Sequence, residues 1–195
     1  MFMFDIETLG VESNSVILSM ACIHFDPTNK QTHQQIRDGA FFAKFDVQDQ
    51  VHRLARKIDK DTVEWWKKQC ENTRIKSFKP SPNDVQYEVG CEAMREWVNS
   101  KNDRDSWVWA RGSLDQVVFD SITKQCGLDP IFHFSRWRDV RTAVDFLYNT
   151  KDGYCKVETP PWEETFDPFL HITKHNPIDD CVYDIMMLMY GVPND

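Results

Sequence analysis

Apolar and polar positions at the N-terminus alternate with period two. In "MFMFDIETLG", Phe2, Phe4 and Ile6 share one face of an extended strand and Met3, Asp5 and Glu7 share the other. Met1 to Glu7 is therefore predicted as a strand. "SVILSMACIHF" (Ser15 to Phe25) is predicted as a second strand, closed by the turn signal "DPTNK", and Ala40 to Phe45 as a third, the three forming an antiparallel meander. The period then becomes helical. "DTVEWWKKQC" opens a helix with Asp61 as N-cap and Glu64 three residues on, a capping-box arrangement. In "DVQYEVGCEAMREWVNS", Val85, Val89, Ala93 and Trp97 recur every four residues and predict a core-facing stripe. "SWVWARG" reads as a strand, "SLDQVVFDSITKQCG" as a helix stopped by Gly127, "DVRTAVDFLYN" as a helix, and Pro177 to Tyr190 as a C-terminal helix with Pro177 in its first position. A meander followed by alternating helix and strand predicts an α/β mixed sheet with helices on both faces. No internal repeat or linker divides it, so residues 1–195 are expected to form one domain.

Composition narrows the classes. Hydrophobic residues are 41% and charged residues 28% of the chain, as in an ordinary globular protein. No apolar run approaches the roughly 20 residues that span a bilayer, and the N-terminus reads as a core strand, not a secretory signal. No membrane partner is expected, and the cytoplasm is the expected compartment (the host's, if the chain is phage-encoded). Six cysteines (Cys22, Cys70, Cys91, Cys126, Cys155, Cys181) without a C-x-x-C pair read as reduced thiols.

The net charge of −8 argues against a general nucleic-acid binder, but its distribution is uneven. Val51 to Pro80 carries nine Lys/Arg against four Asp/Glu, and Pro161 to Asp195 one Lys against seven Asp/Glu. One region suits a polyanion and the other divalent cations; ordinary solvated surfaces explain the same counts.

The candidate chemistry begins with Asp5 and Glu7. Two carboxylates on one face of an apolar strand repel each other and resist burial, so an Arg, a Lys or a metal should lie between them. Asp115 follows the strand "SWVWARG" inside the first turn of a helix, and "HNPIDDC" places His175 ahead of the C-terminal helix with Asp180 one turn in. Each alone has a plain reading: a surface acidic pair, a first-turn carboxylate favoured by the helix dipole, a loop histidine. The order D-x-E, then D, then H-x-x-x-x-D, each at the end of a different core element, favours a common site. His171 and His175 are four apart, as in a zinc pair, but no third ligand completes it and Pro177 breaks the helix. Trp65 and Trp66 beside Lys67 and Lys68 suit base stacking next to cations, or else pack in the core. Arg136, Arg138 and Arg141 of "RWRDVR" suit phosphates or nearby acids.

In these motifs the chain resembles the DEDDh 3′–5′ exonucleases. "FDIETLG" is similar to the family's first motif, "WARGSLDQVVFD" to the second and "HNPIDDC" to the third, H-x-A-x-x-D, with Pro177 where Ala is usual. "DTVEWWKKQ" and "RWRDVRTAVDF" resemble segments of phage-type exonucleases such as the T4-type exonuclease A. The resemblance implies a ribonuclease H-like fold and two Mg²⁺ or Mn²⁺ ions. Asp5, Glu7 and Asp180 would hold one ion, Asp5 would bridge to the second, and Asp115 would reach the second directly or through water. It makes metal, not Arg or Lys, the expected cation between Asp5 and Glu7. It implies His175 as general base, Thr8 and Leu9 at the terminal nucleotide with Leu9 as a wedge, and release of 5′-nucleoside monophosphates from 3′ ends. Single-stranded DNA is the favoured partner, RNA the close competitor, and a catalytically silent binding relative the alternative of another class. Some members of the group are homodimers.

Overall fold

The computed structural model describes residues 1–103, 105–159 and 166–194, with the side chain of residue 169 left aside; part of the acidic stretch, residues 161–165 and 195, lies outside the described residues. The alternation in the first strand sorts the apolar residues into two layers. β1 (Phe2–Thr8), β2 (Ile17–His24), α1 (His33–Asp38) and β3 (Phe41–Lys44) come first. α2 (Val47–His52), α3 (Lys60–Lys67) and α4 (Glu71–Thr73, continued by a wide helical turn over Arg74–Phe78) lead to α5 (Tyr87–Ser100). β4 (Val108–Ala110), α6 (Leu114–Gln125), β5 (Trp137–Asp139) and α7 (Val140–Tyr148) alternate; β6 (Lys156–Val157), α8 (Pro168–His171), α9 (Pro177–Tyr190) and β7 (Gly191–Val192) follow.

The main sheet has the order β3-β2-β1-β4-β5. β1 pairs antiparallel with β2, and β2 with β3, while β1–β4 and β4–β5 are parallel. This is the expected meander plus parallel strands. Phe2, Phe4 and Ile6 pack under α5 and α6 with Cys91, Met94, Val118 and Phe119. Met3 faces the opposite layer, where Val140 and Val144 of α7 and Cys181, Val182 and Ile185 of α9 lie. Helices therefore cover both faces, and the period-two rule puts Asp5 and Glu7 on the α9 side. β1 pairs with β4 only at Phe2–Val108 and Met3–Trp109, so Asp5 and Glu7 lie beyond the last parallel rung.

Some local expectations are corrected. Asp59, not Asp61, caps α3, its carboxylate accepting the Thr62 N–H at 2.7 Å; Asp61 sits in the first turn and Glu64 pairs with Lys67 instead. The stripe in α5 is also different. Val85 precedes the helix and bridges to Phe45, Val89 is 56% exposed, and Ala93 is exposed. Tyr87, Gly90, Cys91, Met94 and Val98 are the buried residues. A strict four-residue step drifts about 40° per repeat around a 3.6-residue helix, so such a stripe leaves the core, whereas alternating steps of three and four stay on it. Gly90 is needed there: a Cβ would lie 2.6 Å from the Phe45 ring. Gly127 does end α6, at φ +70°, its N–H donating to Lys124 O. The six cysteines are free thiols, and no helix among the described residues is long and apolar enough to cross a membrane.

Candidate active site

β1 delivers Asp5 and Glu7, the first turn of α6 delivers Asp115, and the first turn of α9 delivers Asp180. All four line one cavity of about 680 Å³ together with His175 and a fifth acid, Asp184. Ligand atoms of Glu7, His175 and Asp180 lie within 4.8 Å of one another. Glu7 and Asp115 are buried, and the Asp5 Oδ2 is shut from solvent without a hydrogen-bond partner.

This crowding shifts every carboxyl equilibrium in one direction. Burial first, then the charges of Asp115, Glu7, Asp180 and Asp184, push the Asp5 carboxyl well above the usual range. Glu7 is raised by burial and by Asp180 and Asp115. Burial, then Asp184, push Asp115 up to about 8 and Asp180 up to about 7. Five carboxyl groups share the cavity with Arg111, Arg141 and Lys174; the last two are exposed, and the partly buried Arg111 is already engaged. Arg111 Nε and Nη2 donate to Asp184 Oδ1 at 3.0 and 2.5 Å, Arg111 Nη1 donates to Gly153 O at 2.9 Å, and the guanidinium lies 4.3 Å from the Tyr154 ring centre. Among the described residues no Lys or Arg pairs with Asp5, Glu7, Asp115 or Asp180. An unpartnered buried carboxylate oxygen amid hard oxygen donors fits a divalent cation. The acidic and histidine cluster is a site that could hold one.

His175 stands at φ +62°, its N–H donating to Asp180 Oδ2 at 2.9 Å. Burial, then the Lys174 charge, hold its imidazole below 6.5, so the ring is neutral and free to accept a proton at neutral pH. It meets the Trp65 ring edge-on at 4.7 Å.

The four expected substrate contacts separate. Trp65 is 42% exposed and borders, with Glu7 and Thr8, a groove of about 360 Å³. Thr8 donates its hydroxyl to Gly10 O at 2.6 Å. Trp66 is 1% exposed, stacks on Phe78 and donates its indole N–H to Thr8 O at 2.9 Å. Leu9 packs beneath with Val16, Leu18 and Trp66. Apolar packing draws the Trp66 and Leu9 side chains inward, whereas Trp65 keeps a large exposed ring. In "RWRDVR", Arg138 lies 3.7 Å over Trp107, Arg136 reaches Asp105 at 3.8 Å, and Arg141 lines the acidic cavity.

Sequence reasoning missed Asp184, Arg111 and Tyr154. The signal for Asp184 was its four-residue spacing from Asp180, which puts both on one face of α9. Arg111 and Tyr154 carry no comparable local signal.

A mixed sheet of order β3-β2-β1-β4-β5, with acids converging from its central strand and two helices, has the ribonuclease H-like architecture. The chain belongs to the family of the 3′-5′ exoribonuclease Rv2179c-like domain, whose model it matches over residues 1–191. It is also 30% identical over 211 residues to an exodeoxyribonuclease of Enterobacteria phage T4, covering 98% of this chain and 88% of that protein. The protein is an exonuclease.

Proposed function

We propose that this exonuclease is metal-dependent, works from the 3′ ends of single-stranded DNA, and releases 5′-nucleoside monophosphates. The observation that carries the reading is the buried, unpartnered Asp5 Oδ2 among four further carboxyl groups, of which, among the described residues, only Asp184 is ion-paired. Two Mg²⁺ or Mn²⁺ ions, one held by Asp5, Glu7 and Asp180 and the other by Asp5 and Asp115, would supply the positive charge that neutralises this cluster and polarises the scissile phosphate. His175 accepts the proton of the attacking water on its neutral imidazole. Asp180 holds the His175 backbone while its own carboxylate faces the cavity. Trp65, at the mouth of the neighbouring groove, offers one aromatic face for the terminal base, worth about 1–3 kcal/mol. Lys60 and Lys67 of α3, whose Trp65 borders that groove, and Arg74 and Lys76 of the wide turn suit the phosphates upstream, despite the net charge of −8.

The preference for DNA is supported by the T4 relative, which is named for DNA and aligns along nearly the whole chain. The family's description names an exoribonuclease, which makes RNA the second reading; the 2′-hydroxyl is what an enzyme must read to tell the two polymers apart. A catalytically silent binding protein has no need of five converging acids beside a neutral histidine. The test is digestion of matched 3′-labelled DNA and RNA oligomers with Mg²⁺ or Mn²⁺ and with chelator. Faster mononucleotide release from DNA is expected. Faster release from RNA would reverse the substrate assignment, and release in chelator would remove the metal.

A further inference from the structure

The histidine loop is fastened from outside the cavity. The Ser77 hydroxyl donates to His175 O at 2.7 Å, the Thr73 hydroxyl to Lys174 O at 3.0 Å, and Asn72 Nδ2 to Thr173 Oγ1 at 3.3 Å. These side chains come from α4 and the wide turn that continues it, roughly a hundred residues away in sequence. Ser77 and Thr73 are 0% and 3% exposed, and neither borders the acidic cavity. From the other side, α9 takes the His175 N–H on Asp180 and the Thr173 N–H on Asp179. Both peptide groups flanking the His175 Cα are thus hydrogen-bonded, and they hold a non-glycine residue in the left-handed region at φ +62°. Such a conformation persists only where its surroundings over-determine it. Releasing the carbonyl lets φ and ψ relax and swings the imidazole away from Glu7 and Asp180.

We infer that Ser77, seconded by Thr73, is a positioning residue for His175: its hydroxyl fixes the backbone that aims the imidazole into the cavity, and it touches neither substrate nor metal. The inference rests on the reading of His175 as the base.

The test uses the full chain with Mn²⁺ and a 3′-labelled single strand. Ser77→Ala should lower kcat about ten- to a hundredfold, the scale of misplacing a reacting group by about 1 Å, with KM within about twofold. Thr73→Val should move kcat in the same direction, and Thr73→Ser, which keeps the hydroxyl, should restore it. In a His175→Gln background, Ser77→Ala should cost nothing further, because the group it aims is gone. Unchanged kcat in Ser77→Ala, or the same loss in the His175→Gln background, would overturn the positioning role. NMR of the His175 ring gives an answer independent of turnover: one sharp set of signals in the wild type should shift or split in Ser77→Ala, or in Thr73→Val if that variant alone folds. Identical signals would overturn the inference. If the wild type releases no nucleotide from either polymer, the exonuclease site reading fails, and the ring signals still decide whether the loop is held this way.

Discussion

Replacing Asp115 with Asn removes one negative charge from the cavity and leaves the side-chain shape almost unaltered. Asp115 is 7% exposed. Its carboxyl moves from an ordinary 3.8 up to about 8, because burial and the charge of Asp184 disfavour the ionised form. The folded chain therefore keeps a proton that the unfolded chain releases. Stability from this group is present below pH 3.8 and is lost as pH rises toward 8, at about 1.4 kcal/mol per unit. At pH 7 the loss reaches about 4 kcal/mol in the limit. Asn does not titrate and escapes it; the attraction of Arg141 and the Arg111 backbone hydrogen bond, both of which favour the carboxylate, are already contained in the raised value. Because Asp115 titrates together with its neighbouring carboxyls, the expected gain is on the order of 2 kcal/mol, which raises the urea midpoint by about 1 M for a slope of about 2 kcal/mol per M. The assay is urea unfolding followed by tryptophan fluorescence in EDTA, at pH 5 and pH 7.5. The gain should be larger at pH 7.5, while nuclease activity is lost. A variant no more stable than the wild type at pH 7.5, or one whose gain is equal at both pH values, would refute the argument that the carboxylates are buried without compensation. Added Mn²⁺ should reverse the order, since a cation bound only by the folded wild type stabilises it by about 2.7 kcal/mol at a hundred times its Kd.

The two adjacent tryptophans should part company. Trp66→Ala should cost about 3–5 kcal/mol in urea unfolding, whereas Trp65→Ala should leave the midpoint nearly unchanged and raise KM for single strands at least fivefold, from the loss of about 1–3 kcal/mol of stacking; equal midpoints for the two variants would contradict the packing described. Arg111→Met strands Asp184, which is 6% exposed, and should destabilise by about 3–5 kcal/mol. Arg111→Met with Asp184→Leu should recover most of that, and a neutral single variant would mean that the pair is not a buried unit. The acid limb of kcat should fall below pH 6.5, because burial and Lys174 hold the His175 ring under that value; Lys174→Glu should move the limb upward, and a limb that stays put would separate it from His175.

Local periodicity made much of the framework legible. The alternation in Phe2 to Glu7 set both faces of the central strand, and Pro177 marked the first turn of α9 because its fixed φ suits that position. The α5 stripe misled because a four-residue repeat looks helical while rotating away from the core. Asp61 and Glu64 form a formal capping box in the sequence, but the backbone turns two residues earlier, at Asp59. The convergence of Asp5, Glu7, Asp115, Asp180 and His175 was visible as motif order. The Arg111–Asp184 pair was not: it joins residues on separate elements, and no spacing rule links a strand end to the second turn of a distant helix. Likewise nothing in "WWKK" says which ring goes inward; the stack on Phe78 and the bond to Thr8 O settle it.

The bond from the Trp66 indole to Thr8 O clasps α3 to the end of the strand that carries Asp5 and Glu7. The basic stretch that contains it is consequently no detachable flap. Peeling it from the sheet, as a protease would need in order to cut there, frees the strand that carries both carboxylates in the same event. Nicking in this segment and irreversible loss of turnover should therefore share a single rate constant on heating, and one should serve as a clock for the other.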